Sequence, residues 1–313
     1  MADKISTRQA YGDALVELGA ENKNIIVMDA DLSKSTMTKD FKAKFPERFF
    51  NAGIAEADMM GMAAGLAMSG KIVFASTFAM FAAGRAYEII RNSIGYPMAN
   101  VKICATHAGI TVGEDGASHQ CIEDIALMSV IPGMTVIHPA DAMSTRRLLA
   151  QAAVLKGPVY MRLGRLAVPQ IYDETKGVEL GKAITAREGT DHTVIACGLM
   201  VSEALAAAEE LEKEGISVRV LDMHTIKPLD EEAVIKAAKE TKSIITAEEH
   251  SVIGGLGSMV ASVTAAHCPV KVTMVGVQDR FGQSGKPAEL MKEYGITAAD
   301  IVKAVKAADQ ASK

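Results

Sequence analysis

The sequence predicts an α/β protein made of two doubly wound, mostly parallel-sheet domains. Two observations carry that expectation. Apolar, β-branched runs of four to six residues alternate with helix-period segments, the pattern of strands buried on both faces. An aperiodic interval, Leu166 to Thr190, with Pro169, Gly177, Gly181 and Gly189, divides the alternation in two. A chain of 313 residues is long enough for two separate cores. The expected division is residues 1–168, a linker over 169–190, and 191–313.

In order, Arg8 to Leu18 reads as an amphipathic helix and Asn24 to Met28 as a short buried strand. Phe49 to Ile54 leads into a helix over Ala55 to Met68 that is apolar on nearly every side. Its Gly61 and Gly65 would let a neighbouring backbone approach, with core packing the plain explanation. Ile72 to Ala75 reads as a strand, Phe81 to Ser93 as a helix, and Val101 to Ala105 as a strand. Glu123 to Met128 is helical, Thr135 to Ile137 extended, Ser144 to Leu155 helical, and Val159 to Arg162 extended. The second alternation runs strand Thr193 to Ala196, helix Ser202 to Glu214, strand Ser217 to Leu221, helix Asp230 to Glu240, strand Ser243 to Ala247. Gly254-Gly255-x-Gly257 opens a further helix, Val272 to Val275 is a strand, and helices follow. The glycine cluster lacks the full dinucleotide spacing and reads as a turn leading into a helix.

Composition narrows the function. A net charge of -5 and the lack of any Lys/Arg block argue against nucleic acid as a partner. The 4 cysteines, Cys104, Cys121, Cys197 and Cys268, have neither zinc nor disulfide-scaffold spacing and read as buried reduced thiols. Met59 to Gly84 contains one charge, Lys71, but Ser69-Gly70 and Ser76-Thr77 cut it below the roughly 20 residues a spanning helix needs. No apolar signal core follows Met1. The expectation is a cytoplasmic protein without a membrane partner.

Chemistry concentrates in two places. Gly113-Glu114-Asp115-Gly116-Ala117-Ser118-His119-Gln120, with His107 shortly before it, sets acids and histidines between apolar runs. Such groups are costly to bury unless they meet a polar ligand. Glu56, at the start of the apolar helix, is either a solvated first-turn carboxylate favoured by the helix dipole or a proton-sharing group in a dry pocket. Phe78 and Phe81 follow a strand, where ligand crevices form in open α/β sheets, although a phenylalanine pair is also ordinary core. A metal held between His107 and His119 has no specific spacing behind it.

Taken together, Gly53-Ile54-Ala55-Glu56, Thr77-Phe78-x-x-Phe81, Thr106-His107-Ala108-Gly109-Ile110 and Val112-Gly113-Glu114-Asp115-Gly116-x-x-His119-Gln120 resemble the C-terminal half of transketolase, over essentially the whole chain. The resemblance implies a thiamine-diphosphate pyrimidine-binding fold followed by a transketolase C-terminal-like domain. It implies that Glu56 hydrogen-bonds the aminopyrimidine N1′ of thiamine diphosphate, and that Phe81 and Phe78 line that ring. It implies that His119 faces the sugar carbonyl and Asp115 its C2 hydroxyl, with His107 and Arg162 at the phosphate end. Arg165 is the alternative should the strand register differ. Two departures stand out: Gly84 replaces an aromatic of the pyrimidine wall, and a further phosphate contact of the first segment would fall near Lys39.

The chain has no Gly-Asp-Gly with a downstream asparagine to hold a metal and the diphosphate. The resemblance therefore implies a split transketolase. An N-terminal subunit would carry magnesium or calcium, two copies of each chain would assemble, and a ketol group would pass between sugar phosphates. Two relatives share the fold and the Glu56 role. The 2-oxo-acid dehydrogenase E1 β subunit usually lacks the Gly-Glu-Asp-Gly-x-x-His run, and 1-deoxyxylulose-5-phosphate synthase is normally one longer chain. A non-catalytic assembly partner would have no need of intact Glu56, His107, Asp115 and His119.

Overall fold

The computed structural model describes residues 4–311. Its first sheet has seven strands, in the order Thr225–Lys227, Thr135–Ile137, Val159–Arg162, Val101–Thr106, Ile72–Phe78, Ile25–Asp29 and Phe49–Asn51. All neighbours are parallel except the Thr225–Lys227 edge, which runs antiparallel to Thr135–Ile137. The second sheet has five strands, ordered Val272–Val277, Ile244–Ser251, His192–Ala196, Val218–Asp222 and Ile184–Arg187, the last antiparallel. Helices cover both sheets, because strands such as Ile25–Asp29 and Val101–Thr106 are buried on both faces.

Three differences from the sequence reading matter. The stretch read as linker contains the strand Ile184–Arg187, too short and too polar to stand out by period. Thr225–Lys227 leaves the second unit to edge the first sheet, so the two units share hydrogen bonds. Phe81 to Ser93 is not one α-helix: π-helical turns at Phe81–Arg85 and Ile90–Gly95 flank a short α segment, Tyr87–Ile89. Wide turns of this kind re-aim side chains and recur at functional sites.

A small antiparallel ribbon joins Lys4–Ser6 to Ala167–Pro169, with Ile5 opposite Val168. That register carries Arg8 and Arg165 to the same end of the ribbon, and Gly164 N donates to Thr7 Oγ1 at 2.8 Å there. Among the described residues no helix is long and apolar enough to cross a membrane. All 4 cysteines are free thiols, Cys268 alone being only half-buried.

The helix Glu56–Met68 hides Met59, Met60, Ala63, Ala64 and Ala67 against the sheet. Its opposite face is open. Met62 and Met68 are exposed, Ile54 just before the helix is 85% exposed, and a Cβ at Gly61 or Gly65 would meet nothing within 4 Å. The glycine pair therefore does not pack in this chain's core, and the plain explanation fails.

Candidate active site

Parallel strands deliver the site. Ile72–Phe78 and Val101–Thr106 are paired with Phe78 opposite Thr106, so Phe78 and His107 leave the sheet side by side. Their rings stack at 3.8 Å between centroids, 22° from parallel. Phe81, in the first π turn, lies 5.7 Å from Phe78 with the rings 10° apart. His119 closes the group edge-on, 5.4 Å from Phe81 and 6.2 Å from Phe78. Four residues scattered through the sequence thus form one aromatic surface suited to a flat heterocycle and its substituents.

His107 holds a left-handed backbone, φ 57°, an uncommon conformation for a residue with a Cβ. Burial lowers its pKa to about 3, helped by the charges of Arg8, Arg165 and His119, so the ring is neutral near pH 7. Arg8 Nη1 lies 3.1 Å from His107 Nε2, and a guanidinium only donates, so Nε2 is the acceptor. The other nitrogen, Nδ1, then carries the proton and donates to Thr106 Oγ1 at 2.8 Å. His119 Nδ1 shares a 2.9 Å hydrogen bond with Ser118 Oγ, leaving Nε2 for a ligand. Asp115 stands exposed on the same loop.

Glu56 begins its helix with a side chain only 8% exposed, and its carboxyl takes no hydrogen bond from any described residue. A carboxyl so placed is ready for an external donor. Gly84 leaves no gap beside Met80, whose Cε occupies the space where a Cβ at 84 would begin. Phe78, Phe81 and Glu56 therefore fit the pyrimidine end of thiamine diphosphate. Among the described residues no group of three or more His, Cys, Asp or Glu is placed to hold a metal ion.

Arg162 is a correction. Its side chain is 0% exposed and pairs with buried Asp124, Nε lying 2.9 Å from Oδ2. Nη2 donates to the carbonyls of Cys121 and Glu249, at 3.2 and 2.9 Å. Tyr160 donates to the same aspartate at 2.9 Å. Arg162 ties the two units together and has no donor left facing the site. Arg162 is the last residue of its strand and its side chain turns into the interior, whereas Arg165, beyond the strand's end, emerges half-exposed beside Glu114 at 3.5 Å.

Lys39 is a solvated surface lysine, as its sequence context suggests. It is exposed on the short helix Lys39–Lys44, whereas Arg8 provides the first-segment cation. Arg8 donates to Ser35 O at 2.9 Å, and burial followed by the charge of Arg165 lowers its pKa. Two guanidiniums held close enough to disfavour each other make a site for an anion. Arg8 escaped notice because it looks like any polar residue of an amphipathic helix; only the ribbon brings it to Arg165.

The Gly254 turn is settled by Glu248, whose carboxylate accepts from Leu256 N and Gly257 N, at 2.7 and 2.8 Å. The helix N-terminus is thus capped by a carboxyl group of the protein's own.

An α/β fold of two units, with an aromatic, carboxylate and two-histidine constellation at the strand ends, defines one half of a cofactor-binding transferase site. Comparison with known proteins agrees. The family described as Transketolase, pyrimidine binding domain, matches residues 3–170, and Transketolase, C-terminal domain, matches 181–301. A protein of Methanocaldococcus jannaschii named as a transketolase C-terminal section is 53% identical, covering 95% of this chain and 94% of that one. A Clostridium protein named 6-deoxy-6-sulfo-D-fructose transketolase subunit SqwH is 44% identical over 95% of this chain and 92% of its own. A solved structure described as a split gene transketolase, an inactive β4 tetramer, superposes with TM-score 0.91 at 55% identity, over 99% of this chain and 100% of that one. Human transketolase is 40% identical over 98% of this chain but only 49% of its own length. The chain belongs to the transketolase family, as the C-terminal half of a split transketolase.

Proposed function

We propose that this chain supplies the pyrimidine-binding and sugar-binding half of a thiamine-diphosphate site completed by a separate N-terminal subunit. The observation that carries this reading is the grouping of the Phe78, Phe81, His107 and His119 rings beside the Arg8 and Arg165 cations, with Glu56 buried and without a hydrogen-bond partner among the described residues. When bound, thiamine diphosphate serves as the electron sink for cleaving and forming the bond to a two-carbon ketol unit. Glu56 holds and shares a proton with the pyrimidine N1′. Phe78 and Phe81 keep that ring flat and dry. His119 Nε2 donates to, or accepts from, the sugar's carbonyl and C1 hydroxyl, and Asp115 accepts from the C2 hydroxyl. Neutral His107, its two ring nitrogens taken up by Arg8 and Thr106, orients the Arg8 guanidinium without adding charge, while Arg8 and Arg165 take the anionic end of the ketose.

The partner, the divalent metal it would hold and a two-plus-two assembly belong to the same proposal. The open face of helix Glu56–Met68 supports it, since apolar Ile54, Met62 and Met68 flank two glycines that let another helix come close. A cytoplasmic location, where free thiols persist, belongs to the same proposal. The substrates are sugar phosphates. A sulfosugar is the second reading, because two guanidiniums suit a sulfonate as well and one relative is named for a sulfofructose.

The test is reconstitution. Mixed with a subunit carrying the Gly-Asp-Gly motif, thiamine diphosphate and magnesium, the chain should move a two-carbon unit from a ketose phosphate to an aldose phosphate. Alone it should be silent. Activity of the isolated, homogeneous chain would refute the shared site, and transfer from the sulfosugar alone would select the second reading.

A further inference from the structure

The loop from Gly109 to Gln120 carries Asp115 and His119, yet it turns on three left-handed glycines, Gly109, Gly113 and Gly116. Such a backbone has little rigidity of its own. Within the first unit Arg165 Nη1 donates to Val112 O and Gly109 N to Cys121 O, and the second unit adds further holds. Glu249, buried on strand Ile244–Ser251, accepts the Thr111 N–H with its carboxyl. It lies so close to Gly109 that a methyl group there would overlap the carboxyl. The main-chain carbonyl of Glu249 accepts from Arg162 Nη2 at 2.9 Å, which ties this strut to the buried Asp124–Arg162 pair.

The far end of the loop is held as well. Gln120, also buried, points Nε2 at three carbonyls: Ile110 O at 3.1 Å, Gly113 O at 3.2 Å and Gln283 O at 2.9 Å. Three acceptors around one nitrogen fix which way the amide faces. Two of these bonds brace the loop on itself, and the third reaches the segment before helix Pro287–Glu293. The Pro287 ring closes that side, 3.3 Å from where a Cβ on Gly113 would stand.

We propose that Glu249 and Gln120 are positioning residues for sugar binding: a two-point latch by which the second unit holds the Asp115 and His119 loop in its substrate-binding shape. The substrate side of this statement rests on the ketose-binding reading above. Both side chains are buried, so they act through the loop and not on the sugar.

Hydrogen exchange over residues 107–120 of the isolated chain, in wild type, Glu249→Ala, Glu249→Gln and Gln120→Leu, tests the latch without any catalysis. Leaving the buried Thr111 N–H without its acceptor should quicken loop exchange in Glu249→Ala about tenfold or more, with strand Ile72–Phe78 unchanged. Glu249→Gln keeps an oxygen for Thr111 N–H and should restore most of the protection. In the assembled enzyme, Glu249→Ala should raise the KM for a ketose phosphate while the Kd for thiamine diphosphate stays put. Loop exchange unchanged in Glu249→Ala, or quickened equally along the whole chain, would overturn the latch. If wild-type assemblies transfer no ketol unit, the substrate reading falls, and the exchange measurement still decides whether the latch exists.

Discussion

Arg8 Nη1 lies 3.1 Å from His107 Nε2 across 99 residues of chain, and this contact fixes the chemistry of the site's anionic end. The guanidinium makes the imidazole an acceptor, burial keeps it neutral, and Arg165 adds a second cation. A sugar's charged group would therefore meet two permanent cations, one of them held in place by a neutral ring.

Removing either arginine should weaken binding of charged sugars more than turnover. Arg8→Ala or Arg165→Ala should raise the KM for a ketose phosphate on the order of 10- to 100-fold, the size of one charged hydrogen bond. Arg8→Lys should recover only part of this, because an ammonium cannot reproduce the planar fork. Steady-state kinetics with phosphorylated and unphosphorylated donors checks it; equal effects on both would remove the arginines from this role.

Arg162→Ala should behave quite differently. It strands Asp124 in a dry interior, and breaking a buried pair costs about 3–5 kcal/mol. Thermal or urea unfolding should record that loss in the isolated chain. A stable variant with a raised KM would restore Arg162 to the substrate site.

Glu56→Gln should abolish ketol transfer while the circular dichroism and unfolding midpoint stay near wild type, since Glu56 has no partner within the described chain to lose. Turnover surviving at a substantial fraction of wild type would mean that the proton shared with the pyrimidine comes from elsewhere.

The latch carboxyl should leave a pH signature in stability. Burial raises the Glu249 pKa from 4.5 to about 7, against the pull of Arg162 and the Thr111 N–H, with Asp124 adding to the rise. Between those values the folded state binds the proton and the unfolded state does not, so this group's contribution to stability falls as pH rises through the window. Glu249→Gln lacks that term and should gain on wild type from about pH 4.5 to 7, then run parallel above it. Urea midpoints across pH 5 to 8 would show it. Neighbouring Glu248, shifted to about 7 by burial, is present in both proteins and cancels from the difference.

The open helix face should govern assembly. Gly61→Leu, with nothing within 4 Å to obstruct it, should fold as wild type yet fail to associate with the N-terminal subunit. Sedimentation of the mixture gives the answer. Undiminished association would place the interface on another surface.

The alternation of apolar strands and helices was legible because strands buried on both faces must be apolar throughout. The grouping of Phe78, Phe81, His107 and His119 was legible because each sits in a short motif at a strand end or the turn beyond it, and the roles proposed for them, for Glu56 and for Asp115 rest on those motifs. Several features had no such local signal. Thr225–Lys227 and Ile184–Arg187 are short edge strands whose identity comes from the neighbour they pair with. Arg162 and Arg165 are three apart at a strand end, so which one faces the ligand depends on where the sheet stops. Arg8 becomes a site residue only once the ribbon at Lys4–Ser6 brings it to Arg165.

The sequence by itself determined the local propensities, the two alternating units and the motif residues, since these depend on neighbours a few positions away. Only the tertiary structure decided which arginine is buried against Asp124, which pair faces the anion, and that Glu249 and Gln120 grip the substrate loop. Those outcomes turn on burial and on hydrogen bonds between residues far apart in sequence, 38 positions for Arg162 with Asp124, 138 for Thr111 with Glu249 and 163 for Gln120 with Gln283. Close packing in the interior forces such partners to be chosen by the whole fold and not by the segment.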